Sequence, residues 1–138
     1  MNHVINYLPG LDLYVDATSD STPFGMLPFE VAGKPVLLVD GSRADARTPV
    51  QPLGTNRQHM KTVLKIALNG SATGSVEVEL GGHFAVDTRA RMRNMPNDRN
   101  DELVKNVFRS NGYIGAGTLE KEDPSALLDT YRYKSDFT

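Results

Sequence analysis

Two alternating stretches in the middle of the chain constrain its fold most strongly. Apolar residues recur at every second position over much of Lys61–Leu68, and the same alternation is found over Gly74–Leu80. Alternation of this kind is typical of strands that bury one face, and a one-residue slip would set each apolar side chain opposite a polar one. With a loop at 69–73, the two strands form a hairpin whose Lys/Glu face is solvated. The expected pairs are Ile66 with Val76, Leu64 with Val78, and Lys65 with Glu77.

The residues after this hairpin predict two helices and two further strands. The first helix covers Phe84–Met95 and ends at Pro96, because proline cannot continue a helix. The second helix covers Arg99–Asn111, and strands follow over Tyr113–Glu120 and Thr130–Phe137. We therefore expect an α+β fold in which two helices cover one face of an antiparallel sheet.

Helical periodicity makes two predictions about side chains. In the second helix, Phe108 is expected to be the deepest residue of a buried stripe that also contains Leu103, Val104 and Val107. In the first helix, three arginines at alternating positions would spread around the cylinder and form no anion-binding cluster. These are Arg89, Arg91 and Arg93.

The first residues of the chain, from Asn2 to Asp16, predict another β-hairpin. If Pro9 and Gly10 are the centre of its turn, His3 lies opposite Asp16. Residues directly opposite on antiparallel strands share a face of the sheet. The other face collects apolar side chains and is expected to pack against a core. Its members are Val4, Leu8, Leu11, Leu13 and Val15.

An imidazole beside a carboxylate forms a pair with catalytic potential. The carboxylate of Asp16 would fix the tautomer of the His3 ring and stabilise its protonated form, so that His3 could act as base and then as acid. The same arrangement is also common as a surface hydrogen bond that contributes little to stability. A nucleophile is needed to decide between the two interpretations.

Composition limits what that nucleophile can be and which partners are plausible. The 138 residues include no cysteine, which excludes a Cys nucleophile, disulfides and thiolate metal sites within the chain. The formal charge is −2, and the scattered Lys and Arg residues predict no nucleic-acid binding. No apolar run has the length of a membrane span. His59 and His83 lack the spacing of metal ligands, and no phosphate-binding loop is present, so we expect no metal or other cofactor.

Three short motifs in the first quarter of the chain resemble the end of the catalytic core of bacterial transglutaminase-like proteins, which are multidomain, papain-like thiol proteins. In that family a Cys on an upstream helix is the nucleophile, a strand His is the base, and an Asp on the next strand orients the base. The resemblance assigns the last two roles to His3 and Asp16. The motifs are Asn2-His3-Val4-Ile5, Tyr14-Val15-Asp16-Ala17-Thr18 and Pro23-Phe24-Gly25-Met26-Leu27-Pro28.

The remainder of the chain resembles, more weakly, the C-terminal extension of such proteins. Residues 1–41 would be the last strands of the core, including the leftover hairpin and a buried strand at Pro35–Val39. The Pro- and Gly-containing stretch 42–57 predicts a linker, and 58–138 a β-β-α-α-β-β domain. We expect both termini to lie inside a longer protein, and the resemblance implies a periplasmic or other extracytoplasmic location.

These features predict a C-terminal fragment of a transglutaminase-like protein, inactive alone because it lacks the nucleophile. The parent protein would be an acyltransferase or a peptidase. Its partners would be the upstream part of the same protein and a peptide or protein substrate, and the β-rich domain would serve interaction or scaffolding. An alternative is a free-standing hydrolase in which His3 and Asp16 activate a serine of the following loop, Ser19 or Ser21.

Overall fold

The computed structural model describes residues 3–39, 41 and 45–138, so Asn2 of the predicted hairpin and residues 42–44 of the predicted linker lie outside it. The described chain is an α+β fold with two antiparallel sheets and two α-helices. The predicted fold class is therefore confirmed. The strands are β1 (Asn6–Leu8), β2 (Leu13–Val15), β3 (Arg57–Ile66), β4 (Ala72–Gly81), β5 (Gly117–Lys121) and β6 (Thr130–Phe137), and the helices are α1 (His83–Arg93) and α2 (Asn100–Ser110).

Strands β1 and β2 form a hairpin, and the other four strands form one sheet in the order β3-β4-β6-β5. The side chains of Val78 and Leu80 from β4, Ala85 from α1 and Tyr131 from β6 form the buried core of this sheet. Helix α1 packs on β4 and β6, and α2 packs on β5. Both helices lie on the same face of the sheet. Helix α1 contacts Tyr131 of β6 and α2 contacts Phe137 of β6, and these two positions are an even number of residues apart, so their side chains point to the same side.

The β3–β4 hairpin has the predicted faces but not the predicted register. Ile66 pairs with Ala72, and Lys61 pairs with Glu77, so the partners are shifted by four residues from the prediction. The shift is even, and the apolar side chains of β4 therefore still face the helices. The loop has the predicted length but lies two residues earlier in the chain, over 67–71. In this loop Gly70 adopts a φ of +83° that side-chain-bearing residues rarely adopt.

The predicted order of burial in α2 is wrong. Val104 is the buried residue of the helix, whereas Phe108 is half-buried and meets the ring of Phe137 edge-on at 5.5 Å between centroids. A glycine on β5 explains the difference. A Cβ at Gly117 would lie 2.9 Å from a methyl group of Val104, so the helix approaches bare backbone at that point, and Val104 fills the space.

The segment Pro35–Val39 is not the buried strand that its apolar run predicts. It makes one isolated bridge, between Pro35 and Arg47, and the side chains of Leu37 and Val39 are exposed. Ala46 and Thr48 are buried in this region, and the Thr48 hydroxyl donates to the carbonyl of Val31. The prediction from the continuous apolar run is therefore wrong: the buried side chains of this region belong to the stretch 42–57 and not to Pro35–Val39.

Several contacts join the first part of the chain to the second. The guanidinium of Arg93 lies 2.7 Å from the carboxylate of Asp20, and the amide of His83 donates to the side chain of Asn56 at 2.8 Å. The ring of Phe29 meets the ring of His83 edge-on at 5.5 Å. The division into 1–41, 42–57 and 58–138 stays a prediction, but these contacts show that the segments pack against one another.

Arg89 of α1 is the residue whose role the sequence did not indicate. It has no solvent exposure, and its guanidinium donates to the carbonyls of Ser21 at 2.9 Å, Leu128 at 2.5 Å and Thr130 at 3.0 Å. The same group lies 5.6 Å from the centre of the Tyr131 ring. Burial lowers the pKa of Arg89, with the Tyr131 and Glu122 charges acting in the opposite direction. Three segments far apart in sequence are therefore joined at one cation.

Replacing Arg89 with Met should destabilise the protein strongly. The substitution leaves three carbonyls without their donors, and an unsatisfied buried acceptor costs about 1–3 kcal/mol, so we expect a loss of roughly 3–5 kcal/mol in total. Urea unfolding measures this loss. The matched control is Arg91→Met on the exposed side of the same helix, for which we expect a change within about 0.5 kcal/mol. Equal stability of the two variants would show that the Arg89 hydrogen bonds contribute nothing net.

Candidate functional site

The β1–β2 hairpin is closed by a longer loop than predicted. Residues Pro9–Leu11 form a 3-10 turn, and Asp12 follows in the left-handed conformation with φ 46° and its amide bonded to the carbonyl of Pro9. Proline cannot adopt the positive φ that two-residue hairpin turns require at their first position, so the hairpin needs a longer loop, which runs from Pro9 to Asp12. The hydroxyl of Tyr7 donates to the Asp12 carboxylate at 2.7 Å and supports the turn.

The longer loop shifts the register by two residues. Tyr7 pairs with Tyr14, and Leu8 pairs with Leu13, whereas a turn centred on Pro9 and Gly10 pairs Leu8 with Leu11. The predicted opposition of His3 and Asp16 is therefore wrong in register. An even shift keeps every side chain on its face, however, and a diagonal neighbour on an antiparallel pair lies within reach of a long side chain.

The structure accordingly brings His3 and Asp16 together. Nε2 of His3 lies 2.6 Å from Oδ2 of Asp16. The Asp16 side chain is 1% exposed, and the His3 side chain is 33% exposed. The carboxylate is thus shielded from water, while the ring that it holds remains accessible.

The buried face of the hairpin is the one that carries this pair. Tyr14 and Asp16 are buried, whereas Val4 is 85% exposed and Leu11 is 70% exposed. The expectation that the nearly pure apolar face packs against the core is therefore wrong for Val4 and Leu11, and Leu13 and Val15 are only half-buried. A carboxylate can occupy the buried side because its oxygens are hydrogen-bonded, which removes most of the cost of burying it.

The Asp16 carboxylate is held by Thr18 as well as by His3. The amide of Thr18 donates to Oδ1 at 2.9 Å, and the Thr18 hydroxyl donates to the same oxygen at 2.6 Å. Burial alone would raise the pKa of Asp16, but the two Thr18 hydrogen bonds, followed by the interactions with His3, lower this pKa below its ordinary value. Asp16 is therefore ionised near neutral pH and accepts hydrogen bonds with both oxygens.

Thr18 is a site residue that the sequence analysis passed over. An Asp whose side chain accepts from the amide two residues later forms a common local turn, so the spacing of Asp16 and Thr18 carried a usable signal. The further hydrogen bond from the hydroxyl depends on the side-chain rotamer, which sequence spacing does not determine.

An ionised carboxylate determines the tautomer of the ring. Because Asp16 can only accept, the hydrogen in the His3–Asp16 contact lies on Nε2. In the neutral ring the lone pair then lies on Nδ1, to which no residue of the described chain makes a hydrogen bond. His3 is therefore oriented as a base whose basic nitrogen points away from its carboxylate partner.

The serines of the following loop bond to other groups. The Ser19 hydroxyl lies 2.6 Å from that of Thr22, and the Ser21 hydroxyl donates to the Asp20 carboxylate at 3.2 Å. Ser21 is buried, and its carbonyl is one of the three acceptors of Arg89. The structure therefore brings His3 to Asp16 but shows no hydrogen bond from either serine to His3 among the described residues.

Three open clefts lie on other surfaces of the described chain. One is on the sheet face opposite the helices, around Glu79 and Arg132; one is by Phe137; and one is between the loops that carry Phe24 and Leu53. No group of three or more His, Asp or Glu side chains in the described ranges could hold a metal ion. Neither α1 nor α2 is long and apolar enough to cross a membrane.

Comparisons with known proteins add no relative to this picture. No protein-family model matches the chain, and no curated protein or solved structure matches it.

The role of Thr18 can be tested through the pH dependence of stability. The pKa of Asp16 is lower in the folded protein than in the unfolded chain, so its stabilising contribution is present above the unfolded value, 3.8, and is lost as pH falls through the folded value. Thr18→Val removes one hydrogen bond to the carboxylate and should cost about 1.5–3 kcal/mol at pH 7. In urea unfolding this loss should shrink towards pH 2–3.

The control for this test is Thr73→Val, at an exposed position of β4. It should change stability by less than about 0.5 kcal/mol at both pH values. A loss in Thr18→Val that is the same at pH 7 and at pH 2–3 would show that the hydroxyl stabilises the loop and not the ionised Asp16.

The tautomer of His3 is directly measurable. At a pH where the ring is neutral, ¹⁵N chemical shifts of the imidazole should show a protonated Nε2 and an unprotonated Nδ1. Asp16→Ala should give His3 the tautomer equilibrium of an unpartnered imidazole, for which ¹⁵N shifts of the exposed His59 serve as the reference. A protonated Nδ1 in the unmodified protein would contradict the orientation described here.

Proposed function

We propose that this chain provides the base and the orienting carboxylate of a thiol acyl-transfer centre, as the C-terminal part of a transglutaminase-like protein. The observation that carries the proposal is the 2.6 Å contact between His3 and a carboxylate that is itself buried and held by Thr18. Such a pair can take a proton from a nucleophile and return it to a leaving group. On its own it has no group with which to form the covalent intermediate.

The nucleophile must come from another part of the parent protein. The chain has no cysteine, and both loop serines bond to other groups in preference to His3. The open Nδ1 of His3 is the nitrogen that an incoming thiol would approach. These observations favour the thiol centre over the free-standing hydrolase that uses Ser19 or Ser21.

One further feature of the hairpin supports its packing against an upstream core. The apolar face that contains Val4 and Leu11 is exposed, and burying such side chains stabilises a protein by about 25 cal/mol per Å². An upstream segment laid over this face would bury it and leave the opposite face, with Tyr14 and Asp16, in its present contacts.

The C-terminal sheet would then act as a scaffold for the pair. Arg89 holds the carbonyl of Ser21, and Arg93 holds the carboxylate of Asp20. Both contacts join α1 to the loop that follows Asp16. The sheet and its helices therefore limit the movement of the segment that orients His3.

Activity assays on two polypeptides test the proposal. The chain alone should neither incorporate amines at glutaminyl side chains nor hydrolyse peptides, because the covalent step is missing. A longer polypeptide from the same reading frame that restores the upstream region should show the activity and should react with thiol-specific reagents.

In the longer polypeptide, His3→Ala should reduce kcat/KM by roughly 10³-fold or more. Asp16→Ala should reduce it through loss of ring orientation, and His59→Ala serves as the control.

Two outcomes would contradict the proposal. Turnover by the short chain that disappears in His3→Ala would support the serine hydrolase, with Ser19→Ala and Ser21→Ala identifying the nucleophile. Activity of the longer polypeptide that survives His3→Ala would show that the His3–Asp16 pair is structural.

A further inference from the structure

Strand β3 forms a free edge of the four-stranded sheet. It is ten residues long, and all of its residues are exposed. β4 lies on one side of it, and within the described ranges no strand lies on the other. A strand of this length spans about 33 Å and presents a row of unpaired backbone groups that another strand can pair with.

The face of the sheet opposite the helices carries charges arranged in columns. On this face β3 contributes basic side chains, and the whole of β3 contains no Asp or Glu. The column on β4 is acidic, that on β6 is mainly basic, and that of β5 with the residue following it is acidic. The members are Arg57, His59, Lys61 and Lys65 on β3, Glu77 and Glu79 on β4, Arg132 and Lys134 on β6, and Glu120 and Glu122 on or beside β5.

Contacts across the columns show that neighbouring strands complement each other. Arg132 lies 2.8 Å from Glu79 and 3.5 Å from Glu122, and Arg57 lies 3.9 Å from Glu79. The side-chain hydrogen bond and charge of Arg132 lower the pKa of Glu79, with smaller contributions from Arg57 and His59. On this face, basic and acidic columns therefore alternate from strand to strand. The basic column of β3 lies at the edge of the sheet and, among the described strands, has an acidic column on one side only.

The other face of β3 is mainly apolar and uncovered, with Gln58 and Thr62 as its polar members. Met60 is 59% exposed, Leu64 is 51% exposed and Ile66 is 71% exposed. Helix α1 packs on β4 and β6, and it leaves this part of the sheet open. An additional strand would therefore find a basic column on one face and apolar side chains on the other.

We propose that the free edge of β3 binds an extended partner segment in which acidic and apolar residues alternate, added to the sheet as a fifth strand. Neighbouring strands lie about 4.8 Å apart, which places acidic side chains of the partner against His59 and Lys61. Its apolar side chains then lie beside Met60 and Leu64. Backbone hydrogen bonds supply affinity in this mode of binding, and the alternate side chains supply specificity.

A second copy of this chain is a poorer occupant of the same edge. If β3 paired with β3 of another molecule, with the helices of both on one side, basic side chains would lie opposite basic side chains. Like charges directly opposite on neighbouring strands destabilise the pair. Charge therefore selects a partner that differs from β3.

Binding of short peptides to the complete chain tests the proposal. The probe is a labelled nine-residue peptide in which Glu alternates with Val, and its matched control has Lys in place of Glu. Fluorescence anisotropy should show that the Glu peptide binds about tenfold more tightly, because two or three opposite-charge pairs replace like-charge pairs. The preference should weaken at high salt. Hydrogen exchange should show slower exchange of β3 amides only in the presence of the Glu peptide.

Charge reversal at the edge provides the second measurement. Lys61→Glu should remove most of the preference for the Glu peptide, whereas Lys105→Glu on the exposed surface of α2 should leave it unchanged. Both positions are exposed. Because Lys61→Glu sets a carboxylate directly opposite Glu77, circular dichroism and urea unfolding must first show that this variant is as folded as Lys105→Glu under the binding conditions.

Three results would overturn the proposal. Equal affinity for the two peptides, or protection outside β3, would show that the charge columns do not select the partner. No binding at millimolar peptide would show that Lys61 and Lys65 instead protect the edge from pairing, which is a common role of edge lysines. A dimer in sedimentation experiments that Leu64→Glu dissociates would assign the edge to a second copy.

Discussion

The guanidinium of Arg89 is the interaction on which the arrangement of the chain depends. It is fully buried, and it binds the carbonyls of Ser21, Leu128 and Thr130. A buried cation is unfavourable unless its donors are satisfied, and within the described chain Arg89 has no carboxylate within ion-pair distance. The Ser21 loop and the segment that contains Leu128 and Thr130 must therefore both be in place, because each supplies an acceptor that the other cannot replace. This requirement fixes the loop after Asp16 against the core of the sheet.

The sequence predicted the fold class and the faces of the strands better than their registers. Alternation determines which side chains point the same way, and both hairpins kept that parity while their partners moved by two and by four residues. The register depends on the loops, where Gly70 and Asp12 adopt positive φ. Several loop lengths and positions suit the same alternating strands, so the pattern alone could not select one.

The proximity of His3 and Asp16 was predictable, but the environment of the pair was not. The apolar face of the hairpin was expected to be buried, and the structure buries the face of Tyr14 and Asp16. Hydrophobicity could not indicate this, because the burial of Asp16 depends on a hydroxyl of Thr18 placed 2.6 Å away. Arg89 was missed for a related reason. A helical wheel shows where an arginine points, but not that three carbonyls from other segments meet there.

The distances along the chain between Arg89 and its acceptors have a consequence for synthesis on the ribosome. Ser21 lies 68 residues before Arg89, and Thr130 lies 41 residues after it. The β1–β2 hairpin can form early, because its contacts are local and short loops close in less than about a microsecond. The loop that follows it acquires its last support only when Thr130 has left the exit tunnel. Until then the nascent chain contains a hairpin of two three-residue strands that is at best marginally stable by itself, and a protease or chaperone can act on it during this interval.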